Sequence, residues 1–169
     1  MIFISRVFPD DCAEKFVEAD FIISSGTLVR MSVLNDVGMN SDYFIDHVDT
    51  EWCFRVINSG YKIYGAKDAF LNHNLGEKVV KIWLGRWREI PRHNDFRYYY
   101  IFRNTLVMIK NVPMPFSWKI AHLYRLSIFL FFFGFICKAS SNRWGFIIRG
   151  LADGIKTRMG QFKKIIIMV

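Results

Sequence analysis

Three carboxylates, those of Asp46, Asp49 and Glu51, stand among large apolar residues in the stretch FIDHVDTEWCFR, residues 44–55. Carboxylates in such a setting can act as a general base or as ligands of a divalent metal ion. A structural interpretation explains them equally well. Asp46 is a suitable N-cap, and Asp49 suits the first turn of a helix. Glu51 would pair with Arg55 on the helix surface, at i and i+4.

Asp49 differs from the other two carboxylates in its position on the predicted helix. The apolar face of that helix is formed by residues at helical spacing, Ile45, Val48, Trp52 and Val56. At about 100° per residue, Asp49 lies on the border of this face, Glu51 on the opposite flank, and Asp46 further toward solvent. Partial desolvation makes a carboxylate a better base. Asp49 is therefore the candidate base, although helix capping alone would also explain it.

His73 ends an apolar, strand-like run and precedes Asn74-Leu75-Gly76. A histidine in this place is either a hydrogen-bonded strand end or a ligand of a divalent metal near the carboxylates. The other histidines have no partner at metal-ligand spacing and are predicted to be structural: His47, His93 and His122. Three scattered cysteines fit neither a disulfide framework nor a zinc site, which indicates a reducing, cytoplasmic setting.

Short elements surround the acidic stretch. Turn-prone residues predict a strand over 27–31, a short helix capped by Ser32 and ended at Gly38, and two strands over 61–64 and 69–73. The main helix begins at Asp46 and stops at Asn58-Ser59-Gly60, where glycine is the expected terminator. These elements would place the carboxylates at one end of the main helix.

The charge divides the chain into two parts. Residues 1–77 hold 6 Lys and Arg against 12 Asp and Glu, a net charge of −6, whereas residues 78–169 hold 17 against 3, a net charge of +14. A hydrophobic fraction of 52% argues against a disordered chain. We therefore predict an acidic part over 1–77 that serves chemistry or solvation, and a basic part over 78–169 that meets an anionic surface.

Basic and aromatic residues alternate in the second part, around Trp83 and Trp87. This pattern fits a helix on an anionic membrane surface, a core helix with a solvated basic face, or a nucleic-acid-binding segment. The Phe-rich run over 126–137 favours lipid, but it spans 12 residues where a crossing needs about 20. We predict a mostly helical, membrane-associated region that binds no nucleic acid.

Several short pieces occur in the order of one known family. They are Ser25-Gly26-Thr27-Leu28-Val29-Arg30, FIDHVDTEWCFR, Gly60-Tyr61, His73-Asn74-Leu75-Gly76, Arg97-Tyr98-Tyr99-Tyr100, Arg103-Asn104 and Gly150-Leu151-Ala152-Asp153-Gly154. Together they resemble the C-terminal half of bacterial family 2 glycosyltransferases, in particular the rhamnosyltransferases of O-antigen and related polysaccharide assembly. The resemblance covers about residues 20–160.

The resemblance implies an α/β fold, the C-terminal part of a GT-A-type nucleotide-sugar transferase domain, followed by the helical basic region. It implies that Asp49 deprotonates the acceptor hydroxyl in an inverting transfer. It also implies that His73 helps to hold a divalent cation, Mg²⁺ or Mn²⁺, on the donor diphosphate. The remaining residues matched to the substrate site are Ser25, Gly26, Thr27, Asp46, Glu51, Trp52 and Arg55, with Trp52 beside the acceptor sugar.

The resemblance further implies dTDP-rhamnose as the donor and a lipid-linked saccharide as the acceptor, at the inner face of the plasma membrane. The family's nucleotide-binding βαβ unit and D-x-D metal motif have no match here, since Asp10 and Asp11 are adjacent. We therefore expect a truncated or split enzyme that binds metal poorly and has little activity alone. The alternative is a non-catalytic, peripheral membrane-associated module.

Overall fold

The computed structural model describes residues 15–67, 69, 79–83, 87–91, 93–137 and 141–162, which form a mixed but mostly helical structure. The strands are β1 (Phe16–Glu18), β2 (Tyr64–Ala66), β3 (Val79–Trp83) and β4 (Trp87–Pro91). The helices are α1 (Met31–Val37), α2 (Val48–Asn58), α3 (Asp95–Asn111), α4 (Phe116–Phe129) and α5 (Ser141–Ile155), with a 3₁₀ turn at Ser41–Tyr43 and a π-helical segment at Leu130–Ile136.

Both sheets are two-stranded and antiparallel. β1 pairs with β2, and β3 pairs with β4 in a register that sets Trp83 opposite Trp87. The parallel sheet of a nucleotide-binding α/β unit is not found within the described ranges. The helix predicted around Trp83 and Trp87 is wrong, because the β-branched and aromatic residues of this stretch suit strands.

The acidic part keeps some of its predicted boundaries and loses others. α1 ends at Gly38 with a φ of 67°, and α2 ends at Ser59 and Gly60, as predicted. The strand over 27–31 is wrong, because the chain turns where the backbone N–H of Thr27 donates to the carbonyl oxygen of Ser24 and then runs irregularly into α1. Ser32 lies inside α1 rather than at its cap.

Two further strand predictions fare differently. The strand predicted over 61–64 appears as β2, three residues later. The strand predicted over 69–73 falls almost wholly outside the described residues.

Helix α2 is packed on both sides rather than on one face. Trp52, Cys53 and Val56 form a cluster with Ile63, against which α1 packs. On the other side Phe54 belongs to a cluster that also contains Tyr43, Met108 and Val112. This second cluster joins the acidic and basic parts, so α3 directly supports α2; the division at residue 77 stays a prediction.

Helix α4 and the π-helical segment are continuous and span Phe116–Ile136, 21 residues. Within the described chain this is the helix that is long and apolar enough to cross a membrane. The 12-residue run underestimated it, because the helix begins ten residues earlier, in a stretch that includes Trp118 and His122. Those two side chains lie on the inner face and pack in the protein.

Candidate active site

The turn that leads into α2 has a strained backbone. Phe44, Asp46 and His47 have φ angles of 61°, 62° and 61°, in the left-handed region that residues with a Cβ seldom adopt. Each such residue costs about 1–3 kcal/mol and persists only when its surroundings hold it. His47 is the boundary residue of α2, and its side chain makes no capping hydrogen bond.

Helix α3 holds this turn through Arg103 and Asn104, whose side chains are fully buried. Nδ2 of Asn104 donates to the carbonyl oxygens of Tyr43, Ile45 and Asp46, at 2.9, 2.8 and 2.9 Å. Nη2 of Arg103 donates to the carbonyl oxygen of Asp42 at 3.0 Å. The sequence marked this Arg-Asn pair only as part of a resemblance, and its supporting role became visible with the fold.

Asp46 is not the N-cap that its position predicted. Its carboxylate pairs with the guanidinium of Arg97 on α3, with Nε 2.9 Å from Oδ2 and Nη2 3.0 Å from Oδ1. The positive φ angles at Asp46 and His47 turn the chain so that this carboxylate reaches α3 instead of the first turn of α2. Its predicted contact with substrate stays a prediction.

Asp49 lies in the first turn of α2 and is partly buried. Its Oδ2 accepts a hydrogen bond from the backbone N–H of Ser24 at 3.3 Å, while Oδ1 has no partner among the described residues. The carboxylate borders two cavities, a small pocket on the α1 side and a larger cleft on the α3 and α4 side. One oxygen of Asp49 is thus anchored, and the other has no hydrogen-bond partner among the described residues.

The small pocket measures about 160 Å³ and brings together several predicted site residues. Thr27 and Trp52 line it with Asp49, and its wall is mostly apolar. The indole Nε1 of Trp52 donates to the carbonyl oxygen of Gly38 at 3.0 Å, which fixes the ring. Ser25 and Gly26 do not line this pocket; they line a neighbouring cavity with Thr27, against β2.

Glu51 and Arg55 pair as predicted, with Nε of Arg55 2.7 Å from Oε1 of Glu51. Their predicted surface position is wrong, because the Glu51 side chain is only 4% exposed. Arg55 also donates to the carbonyl oxygens of Val37 and Gly38, at 2.6 and 3.3 Å. The pair thus ties the end of α1 to α2 and lines neither cavity beside Asp49, so its contact with substrate stays a prediction.

The larger cleft has a volume of about 760 Å³ and lies between the start of α2, α3 and α4. Its polar lining comprises Ser24, Asp46, His47, Asp49, Thr50, His93, Arg97, Thr105, His122 and Arg125. Apolar walls come from the same helices and from Phe21, Ile23, Phe44 and Ile45. Sequence reasoning missed this cleft, because its residues are separated by up to about a hundred positions and share no local spacing.

Two of the histidines in the cleft form a pair. The rings of His47 and His122 stand edge to face with centroids 5.2 Å apart, and Nε2 of His47 lies 2.8 Å from Oγ1 of Thr105. Burial lowers the pKa of His47 to about 3, helped by His122 and Arg125. Burial and Arg125 lower the pKa of His122 to about 4. Both rings are therefore neutral at physiological pH.

The predicted metal site receives no support from the described residues. No group of three His, Cys, Asp or Glu side chains in those ranges could hold a metal ion. His73, the predicted ligand, lies outside the described residues. The divalent cation therefore stays a prediction.

Similarity to known proteins bears on this geometry. Over 94 residues the chain is 40% identical to the dTDP-rhamnosyl transferase RfbF of Shigella flexneri. The chain resembles a rhamnosyltransferase. The match covers 55% of this chain and 31% of the Shigella protein, so it spans about a third of that relative. No protein-family profile and no solved structure matches the chain.

This similarity supports a rhamnosyltransferase-like glycosyltransferase. The GT-A-type fold and the place of the chain in a C-terminal half stay predictions.

Proposed function

We propose that this chain is part of a glycosyltransferase of polysaccharide synthesis that transfers rhamnose from dTDP-rhamnose to a saccharide acceptor. Asp49 is its general base. The observation that carries this proposal is the setting of the Asp49 carboxylate, with Oδ2 anchored on Ser24 and Oδ1 free at the junction of two cavities. The similarity to a dTDP-rhamnosyl transferase supports the type of donor.

The proposed reaction is a single displacement. An acceptor hydroxyl transfers its proton to Asp49 as its oxygen attacks the anomeric carbon of the donor sugar, and the bond from that carbon to the nucleoside diphosphate breaks. The electron pair of the broken bond leaves with the diphosphate. The turn held by Asn104 positions the first turn of α2, so the carboxylate is oriented before the acceptor arrives.

The described residues do not by themselves make a divalent-cation site. We propose that donor binding depends on further residues, with His73 as one contact to Mg²⁺ or Mn²⁺.

The test uses a chimera in which this chain replaces the matched segment of the Shigella dTDP-rhamnosyl transferase. Asp49→Asn should lower rhamnose transfer from dTDP-rhamnose by about 10²–10⁴-fold, because the amide cannot take the proton. Asp36→Asn is the matched control. Its carboxylate lies on α1, accepts a hydrogen bond from the Tyr61 hydroxyl at 2.8 Å and lines neither cavity beside Asp49.

Transfer retained by a folded Asp49→Asn chimera would remove Asp49 from the base role. A chimera that folds but transfers no sugar in any form would favour the non-catalytic module instead.

We also propose that the outer face of the helix Phe116–Ile136 lies on an anionic membrane surface. Only 28% of its most apolar window is buried, whereas a core helix would be mostly covered. Seven of its exposed apolar side chains follow helical spacing: Phe116, Ile120, Leu123, Tyr124, Ile128, Phe131 and Phe135. Because the inner face packs on α2 and α3 and the second part of the chain carries a charge of +14, a surface position fits better than a crossing.

Vesicle sedimentation of the full chain tests this membrane proposal. Ile128→Asp with Phe131→Asp should reduce binding to anionic vesicles by at least about tenfold, because each change moves a charge into the lipid-facing stripe. Asn142→Asp, which adds a negative charge at an exposed position of α5, is the control. Equal binding by both variants, self-association through the stripe, or a stronger, salt-sensitive preference for oligonucleotides would contradict it.

A further inference from the structure

The two cavities beside Asp49 differ in their ability to hold a sugar. Ligand pockets usually measure about 300–1,000 Å³. The cleft between α2, α3 and α4, at about 760 Å³, falls in this range, and the Trp52 pocket, at about 160 Å³, falls below it. The cleft also has the mixed polar and apolar lining that a sugar requires.

The hydrogen bonds of Thr105 define the protonation of His47 in this cleft. The Thr105 hydroxyl donates its single hydrogen to the carbonyl oxygen of Ile101 at 2.7 Å. Its oxygen must therefore accept from Nε2–H of His47, 2.8 Å away. Because the ring is neutral, its other nitrogen, Nδ1, carries a lone pair and no proton.

Nδ1 of His47 is available to a ligand. Nδ1 has no hydrogen-bond partner among the described residues. It is also not among the fully buried unpartnered atoms of those residues, so it is accessible. His47 lines the cleft, and it stands two residues before Asp49. An acceptor of hydrogen bonds is thus presented next to the proposed base.

We propose that the cleft binds the saccharide acceptor and that Nδ1 of His47 accepts a hydrogen bond from one of its hydroxyl groups. This inference rests on the proposed function and adds a positioning residue to it. The bound hydroxyl is a neighbour of the hydroxyl that Asp49 deprotonates, so His47 selects the orientation of the sugar rather than taking its proton. The left-handed backbone at His47 serves to present the ring in this way.

Two substitutions at His47 separate this role from a structural one. His47→Asn places an amide oxygen near the position of Nδ1, and asparagine tolerates the left-handed backbone. His47→Gln places its amide near Nε2, where it can still bond to Thr105, but it lacks the Nδ1 acceptor. In the Shigella chimera, His47→Gln should raise the acceptor KM about tenfold or more with little change in kcat, and His47→Asn should recover most of the affinity. Equal losses in both variants, or no loss in either, would overturn the inference.

A spectroscopic test uses the full chain with ¹⁵N-labelled histidine and tryptophan. The His47 signals are assigned by their absence in His47→Gln. Nδ1 should resonate as an unprotonated nitrogen and shift when methyl rhamnoside or methyl N-acetylglucosaminide is added, and the Trp52 indole signal should stay in place. A protonated Nδ1, or no shift of Nδ1 up to the solubility limit of both sugars, would contradict the proposal.

The same spectra, together with the transfer assay, distinguish failure of this inference from failure of the proposed function. If the Trp52 indole shifts and His47 does not, the acceptor binds in the small pocket, and the inference fails while Asp49 can remain the base. If the chimera folds but transfers no rhamnose in any form, the proposed function fails, whatever the sugars do to His47.

Discussion

Helix α3 holds two of its neighbours, the strained turn before α2 and helix α5, by different means. Toward the strained turn, Asn104 and Arg103 donate hydrogen bonds to backbone carbonyl oxygens. Toward α5, close approach depends on Gly150 and Gly154, where added Cβ atoms would lie 2.5 Å from the carbonyl oxygen of Tyr99 and 3.0 Å from the side chain of Leu106. The first contact is made by hydrogen bonds to the backbone of the turn. The second combines close steric approach with side-chain links, Tyr99 to Asp153 at 2.9 Å and Arg143 to Asp95 at 2.8 Å.

The difference corresponds to what each neighbour carries. The turn positions His47 and Asp49, whose atoms must point in defined directions, and hydrogen bonds define direction. Helix α5 lines neither cavity beside Asp49, so its contacts with α3 do not have to orient a group at the proposed site. We infer that the hydrogen-bonded side of α3 serves the proposed chemistry and that the glycine side serves the scaffold.

The largest effect is expected from Asn104→Leu. This change removes the donor to three carbonyl oxygens and leaves those of Ile45 and Asp46 without a partner among the described residues, so the free energy of unfolding should fall by about 3–5 kcal/mol. Rhamnose transfer by the folded fraction of the chimera should fall as well, because the turn is released. Urea unfolding, with the transfer rate corrected for the folded fraction, measures both.

Asn58→Ala is the control for this prediction. Its exposed amide makes a single hydrogen bond, to the carbonyl oxygen of Pro113 at 2.8 Å, and its loss should cost about 1 kcal/mol with transfer unchanged. If Asn104→Leu costs no more than Asn58→Ala, the turn is not held in the way described.

A smaller loss is expected from Gly150→Ala. A Cβ 2.5 Å from a backbone oxygen cannot be accommodated without moving α5, and overpacking of this kind costs about 1–3 kcal/mol. In contrast to Asn104→Leu, the folded fraction should keep its transfer rate, since α5 lies outside the proposed site. A transfer rate that falls as steeply as with Asn104→Leu would abolish the distinction between the two sides.

The sequence predicted those features that depend on neighbours along the chain. The ends of α1 and α2, the Glu51–Arg55 pair and the border position of Asp49 all follow from local spacing and turn chemistry. The role of Asp46 could not be predicted, because its partner Arg97 lies 51 residues away and the turn between them is left-handed. The pairing of the two cleft histidines could not be predicted for the same reason, because only the packing of α4 on α3 brings them together.

Acid should lower the free energy of unfolding through His47 and His122, the histidine pair beside the turn that α3 holds. The pKa values of His47 and His122 are lowered from 6.5 to about 3 and about 4. Below pH 6.5 the unfolded chain therefore binds protons that the folded chain does not. As the pH falls from about 6.5 toward the folded pKa, the free energy of unfolding should decrease by about 1.4 kcal/mol per pH unit for each histidine. Above about pH 6.5 the two histidines should not change it.

Urea unfolding between about pH 7 and 5 compares the wild-type chain with His47→Gln, which lacks one of the two groups. Carboxylates contribute equally to both proteins, so a shallower slope in the variant isolates the histidine. Identical slopes would mean that His47 is already charged, or equally accessible to protons, in the folded protein.

The smallest effect, and one of opposite sign, is expected on the outer face of α5. Gly145 is exposed, lies inside the helix and has no atom within 4 Å of an added Cβ. Gly145→Ala should therefore raise the free energy of unfolding by about 0.5–1 kcal/mol, through helix propensity alone. Set beside Gly150→Ala on the same helix, it separates the cost of steric contact with α3 from any general effect of adding a methyl group to α5. If both alanines destabilise the chain, the close approach at Gly150 is not the cause.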